Sequence, residues 1–248
     1  MTNVWSIKAL DTGTSIVEAS IVSYLRHCGE QLAIPRIMWV LEGPSTIVVD
    51  TSVAVDGTPS EFVGEHFERS WEQMPKNALA AAGVDPKDVE FVILTHLHWD
   101  HAGNCNLFPD SRIVVQEEEI RYAIAPGRFF RRGYLSPESG WPIPPYLVHN
   151  LETVRGEYEV APGVKVVPAP GHTPGSQAVM VNTVDGVYCI AGDAVMVFAN
   201  LNEDTPPGYH INVDQSLVSI DSLRAQSDHI LPSHDYLVFK ERPVTRVI

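Results

Sequence analysis

The sequence predicts a single α/β domain over residues 1–248, and three observations support this prediction. First, a chain of this length with 44% hydrophobic residues can bury a core on several layers. Second, short β-branched runs bounded by turn residues recur along the chain and predict strands. Third, segments with helical start and stop signals lie between these runs, an alternation that is typical of α/β proteins.

The first half of the chain predicts a hairpin, a helix and a buried strand. Two β-rich runs over 34–41 and 46–50 are separated by a Gly-Pro turn, which is a hairpin pattern. A helix over 76–82 ends at Gly83. A new start at 85–88 then leads into the apolar run 89–94, which we predict to be a strand.

The second half predicts further strands, two helices and a long loop. A strand over 112–115 leads into a helix over 116–124, whose acidic first turn complements the helix dipole. The loop over 126–146 is either a lid over a site or a surface insertion. The remaining predicted elements are strands at 164–167, 177–181, 187–191 and 229–231, and a helix over 213–223 with Asp214 as its cap.

Charge and composition narrow the classes of function. The formal net charge of −14 disfavours nucleic acid as a partner, because a phosphate-binding groove would oppose that field. Three widely spaced cysteines indicate free, buried thiols. We find no segment of membrane-spanning length and no signal-peptide pattern, and therefore expect a cytoplasmic protein without membrane contact.

One short segment carries most of the chemical information. It follows the predicted strand 89–94 directly and contains His96, His98, Asp100 and His101 within six residues. Imidazole and carboxylate groups are ligands that zinc accepts, and four of them on one turn can reach two ions. Gly103 is predicted to permit a tight bend. The alternative is a histidine-rich surface loop without a ligand.

Three later segments supply further ligand candidates, each after a predicted strand. His172 lies in a turn rich in proline and glycine, Asp193 follows Gly192, and His234 follows a Pro-Ser pair. Each signal alone also occurs in ordinary turns. Together they predict a site assembled from loops at strand ends.

This ligand pattern resembles that of the metallo-β-lactamase superfamily over about 34–235. The resemblance implies an αββα sandwich, with two mixed β-sheets flanked by helices and two zinc ions at one edge. Manganese, iron or cobalt would also suit the same ligands. The implied ligands of one ion are His96, His98 and His172, those of the other are Asp100, His101 and His234, and Asp193 bridges the two.

The segments 95–104, 192–194 and 231–235 resemble those of the N-acyl-homoserine lactonase group. That resemblance implies that a metal-bound hydroxide opens a lactone, with Asp100 passing a proton to the leaving oxygen. One position departs from the group, which commonly has a substrate-contacting tyrosine where this chain has Met196. We therefore expect a small-molecule substrate with a hydrolysable carbonyl but do not narrow it further. Met196 and His210 are candidate substrate contacts.

The sequence is also compatible with functions other than lactone hydrolysis. Thioester, amide or β-lactam hydrolysis could use the same ligands, and a non-catalytic metal-binding protein is the alternative from another class. Ser176, Ser233 and Cys105 lie outside any recognisable nucleophile motif, which disfavours covalent catalysis. Apolar residues over 16–25 prompt the hypothesis of a homodimer. For the four histidines outside the pattern we expect solvated or core roles: His27, His66, His149 and His229.

Overall fold

Two β-sheets pack face to face in the computed structural model, which describes residues 3–55, 65–148, 150–240 and 244–247. In chain order the strands are β1 (Ser6–Glu18), β2 (Gln31–Glu42), β3 (Thr46–Val49), β4 (His66–Glu68), β5 (Val89–Ile93), β6 (Arg112–Gln116), β7 (Asn150–Val154), β8 (Tyr158–Ala161), β9 (Val164–Pro168), β10 (Gln177–Thr183), β11 (Gly186–Ile190), β12 (His229–Leu231) and β13 (Thr245–Val247). The α-helices are α1 (Pro75–Ala81), α2 (Glu117–Ile124), α3 (Phe198–Asn202) and α4 (Val213–Gln226).

Both sheets are mixed. The larger has the order β13-β1-β2-β3-β5-β6-β7, with β4 paired to β1, and the smaller has the order β12-β11-β10-β9-β8. In the larger sheet β3, β5, β6 and β7 pair in parallel, as do β1 and β13, whereas β2 is antiparallel to both β1 and β3, and β4 is antiparallel to β1. In the smaller sheet only the β11 and β12 pair is parallel.

Three hydrophobic clusters join the layers. The central cluster lies between the sheets and includes Trp39 and Ile93 from one, and Val179 from the other. Leu79 of α1 packs on the outer face of the larger sheet, and Leu223 of α4 packs on the outer face of the smaller one. This arrangement confirms the predicted αββα sandwich.

The hairpin and strand predictions are confirmed, and two other local predictions need correction. Helix α4 is capped by Asn212, whose Oδ1 accepts from Gln215 N–H at 3.0 Å, and not by Asp214, which lies in the first turn. All three cysteines are free, but Cys28 is exposed. Gly103 lies in a turn as expected, without a left-handed backbone, and a Cβ there would collide with Ala54 N, so close packing also favours glycine.

The long strand β1 was not predicted. Its middle contains Asp11, Thr12 and Gly13, and the pairing with β2 shifts register between Asp11 and Thr14. Such a bulge interrupts the alternation of polar and apolar residues that marks a strand in a sequence. Among the residues described, no helix combines the length and apolar character that crossing a membrane requires.

The topology places the predicted ligand loops at one edge of the sandwich. Strands β9, β11 and β12 run in the same direction, since β10 is antiparallel to β9 and β11 while β12 is parallel to β11. Their carboxyl ends therefore lie together and lead into the loops that carry His172, Asp193 and His234. Strand β5 of the other sheet ends just before His96.

Candidate metal centre

Three imidazoles converge at the floor of a cavity. His96 Nε2 lies 3.0 Å from His98 Nδ1, and His172 Nε2 lies 3.2 Å and 2.9 Å from these two atoms. All three side chains are buried. Ligands that surround one zinc ion at about 2.0–2.1 Å with tetrahedral angles lie roughly 3.3 Å apart. The three nitrogens therefore have the spacing of ligands to a single small cation.

Hydrogen bonding alone does not satisfy these rings. His172 Nδ1 lies 2.6 Å from the Tyr209 carbonyl, so the ring proton donates there and Nε2 presents a lone pair. His101 Nδ1 likewise lies 2.7 Å from Asp50 Oδ2, and its buried Nε2 has no hydrogen-bond donor among the described residues. Buried lone pairs that face one another without donors are costly unless a cation lies between them. The donor set thus suits divalent metal ions.

A second group of ligand atoms adjoins the first. Asp100, His101 and His234 each offer an atom within 4.8 Å of the other two. Asp193 lies between the groups, with Oδ1 3.0 Å from His234 Nε2 and Oδ2 3.4 Å from His172 Nε2. One carboxylate oxygen therefore faces each group, which is the placement expected of a bridging ligand.

Burial and charge set the protonation of the site. Burial, reinforced by the neighbouring imidazoles, lowers the pKa of His96 and His98 well below the usual range. Burial would raise the pKa of Asp100, but Arg36 and His101 hold it well below its ordinary value. Burial would also lower the pKa of His101, yet the carboxylates around it, Asp193 first, raise it well above the usual range. Neutral imidazoles and ionised carboxylates are the forms that bind metal, so a bound ion would have to displace the proton that these carboxylates hold on His101.

Asp50 positions one of these ligands. Its Oδ1 accepts from Thr95 N–H at 2.8 Å, and its Oδ2 lies 2.7 Å from His101 Nδ1. A carboxylate on the far nitrogen of a metal-binding histidine fixes the tautomer and orientation of the ring. Asp50 holds this position at a φ of 59°, in the left-handed region that aspartate tolerates. The sequence offered one signal, an aspartate at the end of an apolar strand.

Glu119 of α2 links two ligand loops. One oxygen accepts from Leu97 N–H at 3.0 Å and from the Tyr134 hydroxyl at 3.0 Å. The other accepts from the Thr173 hydroxyl at 2.6 Å and from Gly175 N–H at 3.2 Å. Burial raises the pKa of Glu119, and these donors oppose that shift. In the sequence Glu119 has only the signature of an acidic helix start.

Arg36 adds a buried cation beside the second group. Its Nη1 donates to Asp100 Oδ2 and its Nη2 to Glu65 Oε2, while Nε donates to Ser15 Oγ at 3.0 Å. The guanidinium also lies 5.3 Å from the centre of the Trp99 ring. The signal that was missed is a lone arginine inside the apolar run 34–41.

These groups form the floor of a cavity of about 560 Å³. The floor consists of His98, Asp100, His172 and Asp193. Its walls carry Ile21, Arg36, Glu65, Trp99, Met196, Tyr209 and four residues of the long loop, Arg128, Phe129, Arg132 and Gly133. Between 126 and 146 that loop contains only short 3-10 turns, and part of it forms one wall of the cavity rather than a remote insertion.

The two predicted substrate contacts lie in different places. Met196 is buried and lines the cavity. His210 is not among the lining residues described; its Nδ1 lies 2.6 Å from the Pro207 carbonyl and its ring packs on Tyr24. The neighbouring Tyr209 lines the cavity instead. His27, His66 and His229 belong to none of the ligand groups found, and His149 lies outside the described residues.

Comparisons with known proteins identify the family of this chain. The family model described as the metallo-beta-lactamase superfamily matches residues 38–234. An N-acyl homoserine lactonase of Bacillus sp is 31% identical over 208 residues, which cover 78% of this chain and 77% of that protein. The N-acyl homoserine lactonase AttM of Rhizobium radiobacter is 27% identical over 253 residues, covering 94% of this chain and 95% of the relative.

Solved structures show the same architecture. An N-acyl homoserine lactone hydrolase with the product N-hexanoyl-L-homoserine bound at its catalytic metal centre superposes with a TM-score of 0.82. It is 26% identical to this chain, and the match covers 98% of both chains. A quorum-quenching N-acyl homoserine lactone lactonase, also 26% identical, gives a TM-score of 0.79 and covers 95% of this chain and 94% of its own.

Proposed function

The chain belongs to the metallo-beta-lactamase superfamily, and on that premise we propose that it hydrolyses lactones with the help of two divalent metal ions. The observation that carries the proposal is the pair of ligand groups on the cavity floor, with one oxygen of Asp193 facing each. The names of the relatives support the substrate class, a cyclic ester.

The two ligand groups would hold one ion each. His96, His98 and His172 form one group, Asp100, His101 and His234 form the other, and Asp193 would bridge them. Zinc is the ion we propose first, because three imidazoles and a carboxylate suit it, although manganese, iron or cobalt could replace it. When bound, such ions supply Lewis acidity and lower the pKa of water.

Asp100, held ionised by Arg36, is the residue that would transfer the proton. Arg36 keeps the Asp100 carboxyl ionised and engages Oδ2, while no described residue hydrogen-bonds to Oδ1. Asp100 can therefore accept a proton from the attacking water and pass it to the ring oxygen, which leaves as a much stronger base. A bond forms between the water oxygen and the carbonyl carbon, the ring C–O bond breaks, and the product is a hydroxy acid.

The walls select and orient the substrate. Ile21, Trp99, Phe129 and Met196 present apolar surface above the floor, which suits a lactone with an apolar substituent. The Met196 thioether cannot donate a hydrogen bond to a carbonyl. Tyr209 carries a neutral hydroxyl on the same wall, which can donate such a hydrogen bond. Its backbone carbonyl also fixes the His172 ring.

Proton release from a lactone panel tests the proposal. The panel contains acyl-homoserine lactones and aromatic lactones, and the protein is compared before and after metal removal. Asp100→Asn should abolish proton release, whereas Asp110→Asn, at an exposed aspartate, should leave it unchanged. If the metal-loaded protein released no protons from any lactone, the lactonase proposal would be rejected, and thioesters and amides would be tested next.

A further inference from the structure

Two arginines at the cavity mouth stand out in this acidic protein. Arg128 and Arg132 are exposed, line the cavity and form no ion pair with any described residue. By contrast, Arg131 between them pairs with Glu138 at 3.0 Å. Of the three arginines in this segment, the one that does not line the cavity is thus neutralised, whereas the two that line it are not. The whole chain has 31 acidic and 17 basic residues.

The backbone holds these two arginines on one short helical segment. Phe130 and Arg131 donate to the Gly127 carbonyl at 2.9 Å and 3.0 Å, so residues 127–131 form a helical turn. The 3-10 helix over Phe130–Gly133 continues this turn, and because Arg128 and Arg132 both line the same cavity, their like charges repel each other. An anion that enters the cavity mouth would remove this repulsion and gain two guanidinium contacts.

The turn is also anchored to the metal centre. The Gly133 carbonyl accepts from Trp99 N–H at 2.8 Å, and a Cβ on Gly133 would lie 2.7 Å from the His98 ring. Phe130 packs on Tyr209 with ring centres 5.2 Å apart, and the Tyr209 carbonyl holds His172. The backbone that carries the arginines therefore has a fixed position relative to the candidate ligands on the floor.

We propose that Arg128 and Arg132 form an anion-binding subsite, and that the substrate is a lactone whose substituent ends in a carboxylate. This inference rests on the proposed lactonase function. The lactone ring would lie on the floor, the substituent would extend along Phe129 and Tyr209, and the carboxylate would meet the two guanidinium groups at the mouth.

A matched pair of lactones tests the subsite. One carries an acyl chain that ends in a carboxylate, and the other carries the methyl amide of the same acid. We expect the wild-type protein to favour the anionic lactone by roughly 5- to 30-fold in kcat/KM, mainly through KM, because exposed charge pairs contribute modestly. The preference should decrease with salt.

Arginine variants supply the control. Arg128→Gln/Arg132→Gln should remove the preference, so that both lactones react with similar kcat/KM. Arg121→Gln/Arg155→Gln removes two exposed arginines that pair with Glu117 and do not line the cavity, and it should keep the preference. Equal or better turnover of the neutral lactone by the wild-type protein would overturn the proposal.

A binding measurement separates this proposal from the proposed function. The two lactones are replaced by their lactams, which resist hydrolysis, and binding to the metal-loaded protein is followed by calorimetry. If no lactone is hydrolysed but the anionic lactam binds more tightly, and only the Arg128/Arg132 variant loses this difference, the lactonase function fails and the subsite stands. If lactones are hydrolysed but the lactams bind equally, the subsite fails and the function stands.

Discussion

Replacing Glu119 with glutamine should destabilise the protein strongly, although the two side chains have nearly the same shape. Each carboxylate oxygen of Glu119 accepts from one backbone N–H, that of Leu97 on one side and that of Gly175 on the other. The amide NH2 of glutamine must replace one oxygen, so one buried backbone N–H loses its acceptor whichever way the amide turns.

The magnitude follows from this geometry. A buried N–H without an acceptor costs about 1–3 kcal/mol, and the remaining hydrogen bonds lose the charge of their acceptor, so we expect a total of about 2–4 kcal/mol. For a chain of this size each kcal/mol lowers Tm by roughly 2–4 °C, which gives a fall of roughly 5–15 °C. Zinc affinity should fall as well, because Leu97 lies between His96 and His98.

Thermal unfolding and a zinc competition assay measure these effects. Glu118→Gln removes an exposed carboxylate from the same helix and serves as the control, with Tm within about 1 °C of the wild type. If Glu119→Gln unfolded at the wild-type temperature and bound zinc equally well, Glu119 would not link the ligand loops as described.

Four further predictions concern the same centre. Asp50→Asn should weaken zinc binding by about 10- to 100-fold in a chelator competition, because the His101 ring loses its orienting carboxylate. Gly133→Ala should lower Tm by the equivalent of about 1–3 kcal/mol, since the new methyl group meets the His98 ring. Arg36→Met should cost about 3–5 kcal/mol in metal-free protein, because it leaves buried carboxylates unpaired, and measurably less once zinc is bound. In metal-free protein the free energy of unfolding should fall as pH drops from about 7 to 5. Burial lowers the pKa of three ligand histidines, so the unfolded chain takes up protons that the folded chain does not, whereas the raised pKa values of His101 and Glu119 oppose this trend. Urea titrations at each pH would show a flat or inverse profile if the reasoning were wrong.

The ligand candidates could be predicted from the sequence because their signals are local. His96, His98, Asp100 and His101 lie within six residues after one strand, and the other three candidates follow strands that end at the same edge. Regular strands such as β5 and β9 have a short apolar pattern with a single charged residue. Strand β1 does not, because its bulge brings polar residues into the middle of the run.

The residues that support the ligands could not be predicted, because their contacts are distant in sequence. Asp50 and His101 are 51 residues apart, Arg36 and Asp100 are 64 apart, and Glu119 reaches Thr173 across 54 residues. Each of these residues also has an ordinary local interpretation as a strand end, a strand residue or a helix start. Only the packing of the two sheets brings them to the metal centre.

Titration of metal-free protein with zinc, followed by proton release from a lactone, tests the central claim most directly. The two ligand groups that share Asp193 predict that activity is absent without metal, rises as zinc is added and reaches a plateau at two ions per chain. Lactone hydrolysis that persists in the presence of a chelator, or no hydrolysis with two ions bound, would contradict the claim.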